Sequence, residues 1–118
     1  MKKCIRPRMR LWLTADNSKL AFGDGKWWLL CAIEKNQSLR LACEELGMSY
    51  RKGWGDLKKA EELFGFAIVK RTRGGAHGGK TILTVKGKEI LNCYRKFINE
   101  MEKSLQKNFE KYLSVVIK

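Results

Sequence analysis

The octet Gly74-Gly-Ala-His-Gly-Gly79-Lys80-Thr81 matches G-x-x-x-x-G-K-[ST] letter for letter. That pattern cradles nucleotide phosphates when its loop leads into a helix whose N-terminus faces the anion. Here the loop leads into Thr81-Ile-Leu-Thr-Val85, a β-branched run that reads as a strand. Residues 82–118 hold no apolar run ending in an Asp to position Mg²⁺. A Gly-rich hairpin tip is the better account, since glycine accepts positive φ and close backbone approach. Other reactive groups are as poorly placed. The single histidine, His77, lies in this loop with no carboxylate near it in sequence. No nucleophile elbow, paired acid or metal-ligand spacing occurs, so neither an enzyme nor a cofactor or metal site is expected. The four cysteines (Cys4, Cys31, Cys43, Cys93) form no Cys-x-x-Cys pair. Cys31, Cys43 and Cys93 fall on apolar helical stripes, where a reduced, buried thiol is the ordinary reading and a metal or redox sensor the alternative.

Charge says more than reactive groups do. The 118 residues carry 25 Lys and Arg against 12 Asp and Glu, a net +13. Residues 1–10 hold five cations and no acid, and 11–50 hold four against five acids. Residues 51–80 hold eight against three, and 81–118 eight against four. A near-neutral stretch is thus followed by a basic one. That distribution suits a polyanion, nucleic acid rather than membrane. The longest apolar run, Trp27 to Ile33, is far short of the roughly 18 residues a membrane span needs. No apolar segment follows Met1-Lys2-Lys3 to make a signal peptide, so a cytoplasmic location is expected.

Residues 38–65 supply the element that would present those cations. Leu39, Ala42, Cys43 and Leu46 repeat at i, i+3, i+4, i+7, the stripe of a short amphipathic helix. Gly47 then suits a C-terminus needing φ > 0, and Ser49 suits an N-cap. The next helix puts Gly53, Leu57, Ala60 and Phe64 on one side, with Tyr50 and Trp54 at its margin. Arg51, Lys52, Gly55, Lys58 and Lys59 project to the other. Two helices joined so tightly predict a helix-turn-helix whose second helix, about 49–64, enters the DNA major groove.

Other elements follow from local patterns. Met9–Leu13 and Lys19–Phe22 flank a turn cluster and read as a small hairpin; Asp24-Gly25 opens a helix to about Asn36. Phe66–Lys70 and Thr81–Val85 are strands around the Gly-rich loop, a β-hairpin wing spanning about 66–85. Arg71, Arg73, His77 and Lys80 decorate that wing within reach of phosphates or a minor groove. From about Val85 onward, Ile90, Tyr94, Phe97 or Ile98, Met101, Leu105, Phe109 and Tyr112 or Leu113 make one continuous stripe. At about 1.5 Å per residue, that stripe exceeds the length a small body can cover. A second copy of the same helix is the expected cover.

Several segments together resemble molybdate-responsive (ModE-type) transcriptional regulators. They are Gly25-Lys-Trp-Trp-Leu-Leu, Ser38-Leu with Ala42, and Leu46-Gly-Met-Ser-Tyr-Arg51 with Trp54. The wing Arg71-Thr-Arg-Gly-Gly, Gly78-Gly79 and Leu83-Thr84 complete the set. LysR-type regulators are similar more distantly. The resemblance, over roughly residues 8–100, implies a winged helix, a homodimer through the C-terminal helix, and operator DNA. Ser49, Tyr50 and Arg51 would open the recognition helix, and Gly74, Gly75, Gly78 and Gly79 would form the wing. The wing departs in carrying Ala76-His77. The sequence also stops where such regulators continue into an oxyanion-binding domain, so molybdate sensing is not carried over.

The expectation is therefore a mostly α protein with a small β component. Residues 1–85 would be a winged helix-turn-helix domain and 86–118 a dimerisation helix. It would regulate transcription as a homodimer on double-stranded DNA without an effector domain of its own; any separate effector is unknown. The DNA-binding residues would be Ser38, Ser49, Tyr50, Arg51, Lys52, Lys58, Arg71, Arg73, His77 and Lys80. Ile90, Tyr94, Phe97, Ile98, Met101, Leu105 and Phe109 would form the dimer contact. The alternatives are a winged-helix adaptor for protein partners and the cysteine-based sensor.

One expectation is testable without structure. ATP and GTP at millimolar concentration should show no saturable binding by calorimetry. Binding that Lys80→Ala abolishes would restore the phosphate-loop reading.

Overall fold

The computed structural model describes residues 3–16, 18–73 and 79–117. A two-stranded ribbon, β1 (Leu13–Thr14) and β2 (Ala21–Phe22), precedes three helices: α1 (Asp24–Asn36), α2 (Leu39–Leu46) and α3 (Tyr50–Phe64). An antiparallel hairpin, β3 (Val69–Thr72) and β4 (Lys80–Leu83), follows. The long helix α4 (Val85–Asn108) comes next and passes into a π-helical turn, Phe109–Leu113. The fold is mostly α, with a small β component and a long C-terminal helix.

Local chemistry sets each boundary. The Ser38 hydroxyl caps α2 by accepting from Leu41 N (3.1 Å), and Ser49 caps α3 by accepting from Lys52 N (3.0 Å). Gly47 (φ 67°) and Gly65 (φ 80°) end those two helices in the left-handed region that only glycine enters freely. Thr84 caps α4 through Gly87 N (3.0 Å), while its own N–H donates to Ile68 O (2.8 Å). It thereby ties the start of the long helix to the start of the hairpin.

The core is built from Leu29, Leu30 and Ile33 of α1, Leu39, Ala42 and Cys43 of α2, and Leu57 and Ala60 of α3. Ile68 and Leu83 close it from the hairpin side. Phe22 sits at its centre, edge-on to Phe64 (5.1 Å) and Tyr94 (5.2 Å). Two polar bolts fix α4 against α1. Trp27 Nε1 donates to Leu91 O at 2.9 Å, and Tyr94 Oη donates to Asp24 Oδ1 at 3.0 Å. Burial, reinforced by the hydrogen bond to Asp24, pushes the Tyr94 hydroxyl up to about 12.

Three glycines among the described residues are required by space, one of them Gly79, where a Cβ would run into the Thr72 carbonyl across the hairpin. A Cβ on Gly53 would lie 2.3 Å from Cys43 Sγ, so its absence lets α3 press against α2. A Cβ on Gly87 would lie 2.2 Å from Ile68 O, so the first turn of α4 passes directly over the β3 entry.

Several expected boundaries shift. The first hairpin strand is Val69–Thr72 rather than 66–70, because Glu61 Oε2 accepts from Ile68 N (2.8 Å) and holds the chain before the strand begins. Phe66 meanwhile stacks on Phe64 (5.8 Å, 13°). The second strand ends at Leu83 because Thr84 serves as the α4 cap. The ribbon keeps two residues per strand instead of the four or five expected. Of the three cysteines expected to be buried, Cys43 is buried and Cys31 half-buried, whereas Cys93 is exposed on α4. All four cysteines are free thiols.

Gly53→Ala should cost about 1–3 kcal/mol by overpacking. Cys43→Ala in the same chain should recover much of that loss in urea denaturation, because it removes the clashing sulfur. Strictly additive losses would show that the two positions do not meet. Tyr94 adds a pH dependence. Its hydroxyl is raised from an ordinary 10.0 to about 12. Its contribution is complete below pH 10.0 and is lost as pH climbs toward 12, where the unfolded chain releases the proton first. Tyr94→Phe should flatten the alkaline decline of stability in that window.

Candidate nucleic-acid interface

Helices α2 and α3 are joined by only Gly47, Met48 and Ser49. The first turns of both helices therefore open on the same side as the hairpin. Between them lies a groove of about 720 Å³. Its walls are Ser38, Leu39 and Arg40 of the α2 start, Tyr50 of α3, and Arg71, Thr72, Arg73, Gly79, Lys80 and Thr81 of the hairpin. The hairpin is held at this distance by Thr81 N, which donates to Gln37 O (3.1 Å) at the end of α1. Four cations and no carboxylate appear among the groove's described residues. Like charges gathered on a concave wall raise the local potential and concentrate anions.

The cations differ in their surroundings. The Arg71 guanidinium lies 4.3 Å from the Trp54 ring centroid and donates to the Tyr50 hydroxyl. Lys58 Nζ lies 5.8 Å from the same ring. Lys52 Nζ pairs with Asp56 Oδ2 at 2.9 Å, so its charge is partly met within the helix. Arg51 is exposed and belongs to no salt bridge among the described residues. The Ser38 and Ser49 oxygens accept capping bonds, which leaves each hydroxyl proton available to donate.

Of the residues expected to meet DNA, Ser38, Tyr50, Arg71, Arg73 and Lys80 line one groove. Ser49, Arg51, Lys52 and Lys58 lie on α3 or at its cap, outside that lining. His77, with Gly74, Gly75 and Gly78, lies outside the described residues. Arg40 was missed by sequence reasoning, although a signal existed. A cation two residues after the N-cap opposes the helix dipole and gains a purpose when an anion approaches. Trp54 was placed only at a margin, yet it is the platform on which Arg71 rests.

The long-helix residues divide in two. Tyr94 is 5% exposed and committed to the chain's own core, with Ile90 and Ile98 packed beside it, so Tyr94 offers no surface to a second chain. Phe97 is exposed, and Met101, Leu105 and Phe109 are half-buried. Leu105 shares a shallow cavity with Pro7, Arg8 and Met9, so the N-terminal segment lies beside part of the stripe expected to need a partner. Beyond it, Tyr112, Leu113, Val115 and Val116 are all more than half exposed. Burial pushes the Cys31 and Cys43 thiols up, away from thiolate chemistry. No helix among the described residues is long and apolar enough to cross a membrane.

A small, mostly helical protein with a cationic groove, free of carboxylates among its described residues, is thus the class that fold and site define. No protein-family profile matches the chain. Individual proteins do align with it. The molybdenum transport protein ModE of Azotobacter vinelandii is 32% identical over 91 residues, covering 77% of this chain and 34% of that protein. The molybdenum-pterin-binding protein MopB of Rhodobacter capsulatus is 31% identical over 84 residues, 65% of this chain and 31% of its own length. The DNA-binding transcriptional dual regulator ModE of Escherichia coli K12 is 29% identical over 66 residues, 56% and 25% respectively. These ModE and MopB proteins are homologues of the chain, and the resemblance to ModE-type regulators holds. By name they are a molybdenum transport protein, a molybdenum-pterin-binding protein and a DNA-binding transcriptional regulator, none of them named as an enzyme. The chain spans about a third or less of their length.

Arg40 separates groove from surface charge. With duplex DNA as the polyanion probe, Arg40→Gln should lower the salt slope of binding by roughly one unit. Lys96→Gln, an equal charge change on exposed α4, should leave the slope unchanged. Equal effects would mean that binding follows net charge alone.

Proposed function

We propose that the chain is a sequence-specific DNA-binding module of a transcriptional regulator, acting as a homodimer. The observation that carries this reading is the groove of Arg40, Arg71, Arg73 and Lys80, free of carboxylates among its described residues, beside the first turn of α3. In this reading, residues 1–85 are a winged helix-turn-helix domain, with α3 as recognition helix and the hairpin as wing. Residues 86–118 provide the dimer contact. Ser38, Arg40, Arg73 and Lys80 hold phosphates and set register, while Arg51 and Tyr50 face base edges. Lys52, whose ammonium is exposed, joins them when DNA phosphate competes with Asp56 for its charge. The name of the Escherichia coli relative, a DNA-binding transcriptional regulator, supports the same reading.

Dimerisation rests on Phe97, Met101 and Phe109 with the exposed apolar end of the chain, rather than on Tyr94, which the core already uses. Two copies of one module gain affinity from linked half-sites, so the bound sequence should be two-fold symmetric.

Selection from random duplex DNA should enrich an inverted repeat, and affinity should fall steeply as salt rises. Phe97→Glu should give a monomer by sedimentation that binds single half-sites weakly. No enriched sequence, with binding indifferent to salt, would overturn the proposal. Wild-type protein that sediments as a monomer at micromolar concentration would remove the homodimer from it.

A further inference from the structure

Among the groove's described contacts, Arg71 is the cation committed to other side chains of the chain. Its planar head lies 4.3 Å from the centre of the Trp54 ring, and one of its N–H groups donates to the Tyr50 hydroxyl. Tyr50 in turn meets Trp54 edge-on, with ring centres 6.3 Å apart and planes at 89°. Tyr50 and Trp54 are one helical turn apart on α3, whereas Arg71 belongs to β3. The trio therefore bridges helix and hairpin. A guanidinium resting on an indole and bonded to a phenol is held in one orientation by the chain's own side chains before any phosphate arrives.

We propose that Arg71 is a positioning residue that makes the Tyr50 hydroxyl an oriented hydrogen-bond donor, and that Tyr50 selects an acceptor on a base edge. The reasoning concerns the phenol's bonding capacity. A tyrosine hydroxyl has one proton to give and accepts through its oxygen. With Arg71 donating to that oxygen, the proton has to point elsewhere. Tyr50 is 43% exposed on the groove wall, so the open direction is the groove. A donor there is satisfied by guanine O6 or N7, adenine N7 or thymine O4, and is refused by the amino group of cytosine. The Trp54 platform keeps Arg71 in one plane, which a flexible ammonium would not hold. This inference rests on the DNA-binding reading above.

The test uses the whole chain and its selected duplex. Tyr50→Phe, Arg71→Gln and Arg71→Lys should each relax base preference at the same position of each half-site, with the salt slope unchanged. The Lys variant is the decisive arm, because lysine retains a phosphate contact but neither stacks nor presents a planar fork. Tyr50→Phe combined with Arg71→Gln should be no worse than either alone. Replacing the purine at that position by its 7-deaza analogue should weaken wild type and leave Tyr50→Phe unaffected if N7 is the acceptor; a thymine there directs the same comparison to O4. The inference is overturned if Arg71→Gln weakens selected and random duplex equally and lowers the salt slope by about one, with Arg71→Lys restoring both. That result leaves the DNA-binding reading intact. Wild type that selects no sequence overturns both.

Discussion

Close approach of α2 to α3 is the constraint on which everything else depends. Cys43 Sγ occupies the space that a side chain at Gly53 would need, and the connecting turn is only three residues long. With so short a turn, the helices have one way to cross that buries Leu39, Ala42, Cys43, Leu57 and Ala60 together. That crossing turns Gly53, Leu57 and Ala60 of α3 into the core and leaves Tyr50, Arg51 and Lys52 at its start exposed. It also brings the capped start of α2 beside Tyr50, and a groove wall follows from a packing requirement.

The hairpin completes the other wall by being fastened at several points. Glu61 receives the backbone N–H groups of Ile68 and Val69, and Thr81 donates to the carbonyl of Gln37. Thr84 and Gly87 then bind the start of α4 to Ile68. The Leu83-Thr84 pair and the later glycine thus have a joint physical meaning, since one supplies a cap and the other permits contact without a side chain. A hairpin so fixed holds Arg71, Arg73 and Lys80 opposite the α2 start without needing a ligand to order them. Preformed positive potential favours rapid encounter with an extended anion, and it weakens as salt screens it.

Helices were legible in the sequence because their signals are local. Ser38, Gly47 and Ser49 mark ends, and stripes such as Leu39, Ala42 and Cys43 mark a buried face. Strand ends were less legible, since Phe66 and Val85 have strand propensity but are claimed by an aromatic stack and by the first turn of α4. The groove was half legible. Its hairpin cations stood out in a basic run, whereas Arg40 lies in a near-neutral stretch and joins them only through tertiary packing. Sequence also could not reveal that Tyr94 serves the chain's own core, because a stripe says which residues are apolar and not what covers them. Nor could it show Arg71 on Trp54, a contact between residues 17 positions apart on different elements.

On the proposed reading a polyanion meets the α2, α3 and hairpin groove, and the cavity lined by Trp27, Trp28 and Arg95 between α1 and α4 is left out. Amide chemical-shift mapping of the whole chain during titration with duplex DNA measures this directly. The expected perturbations fall on Ser38 to Arg40, Tyr50 to Lys58, Lys70 to Arg73 and Gly79 to Thr81. Perturbations centred instead on Trp27, Trp28 and Arg95, with the groove residues unmoved, would contradict it.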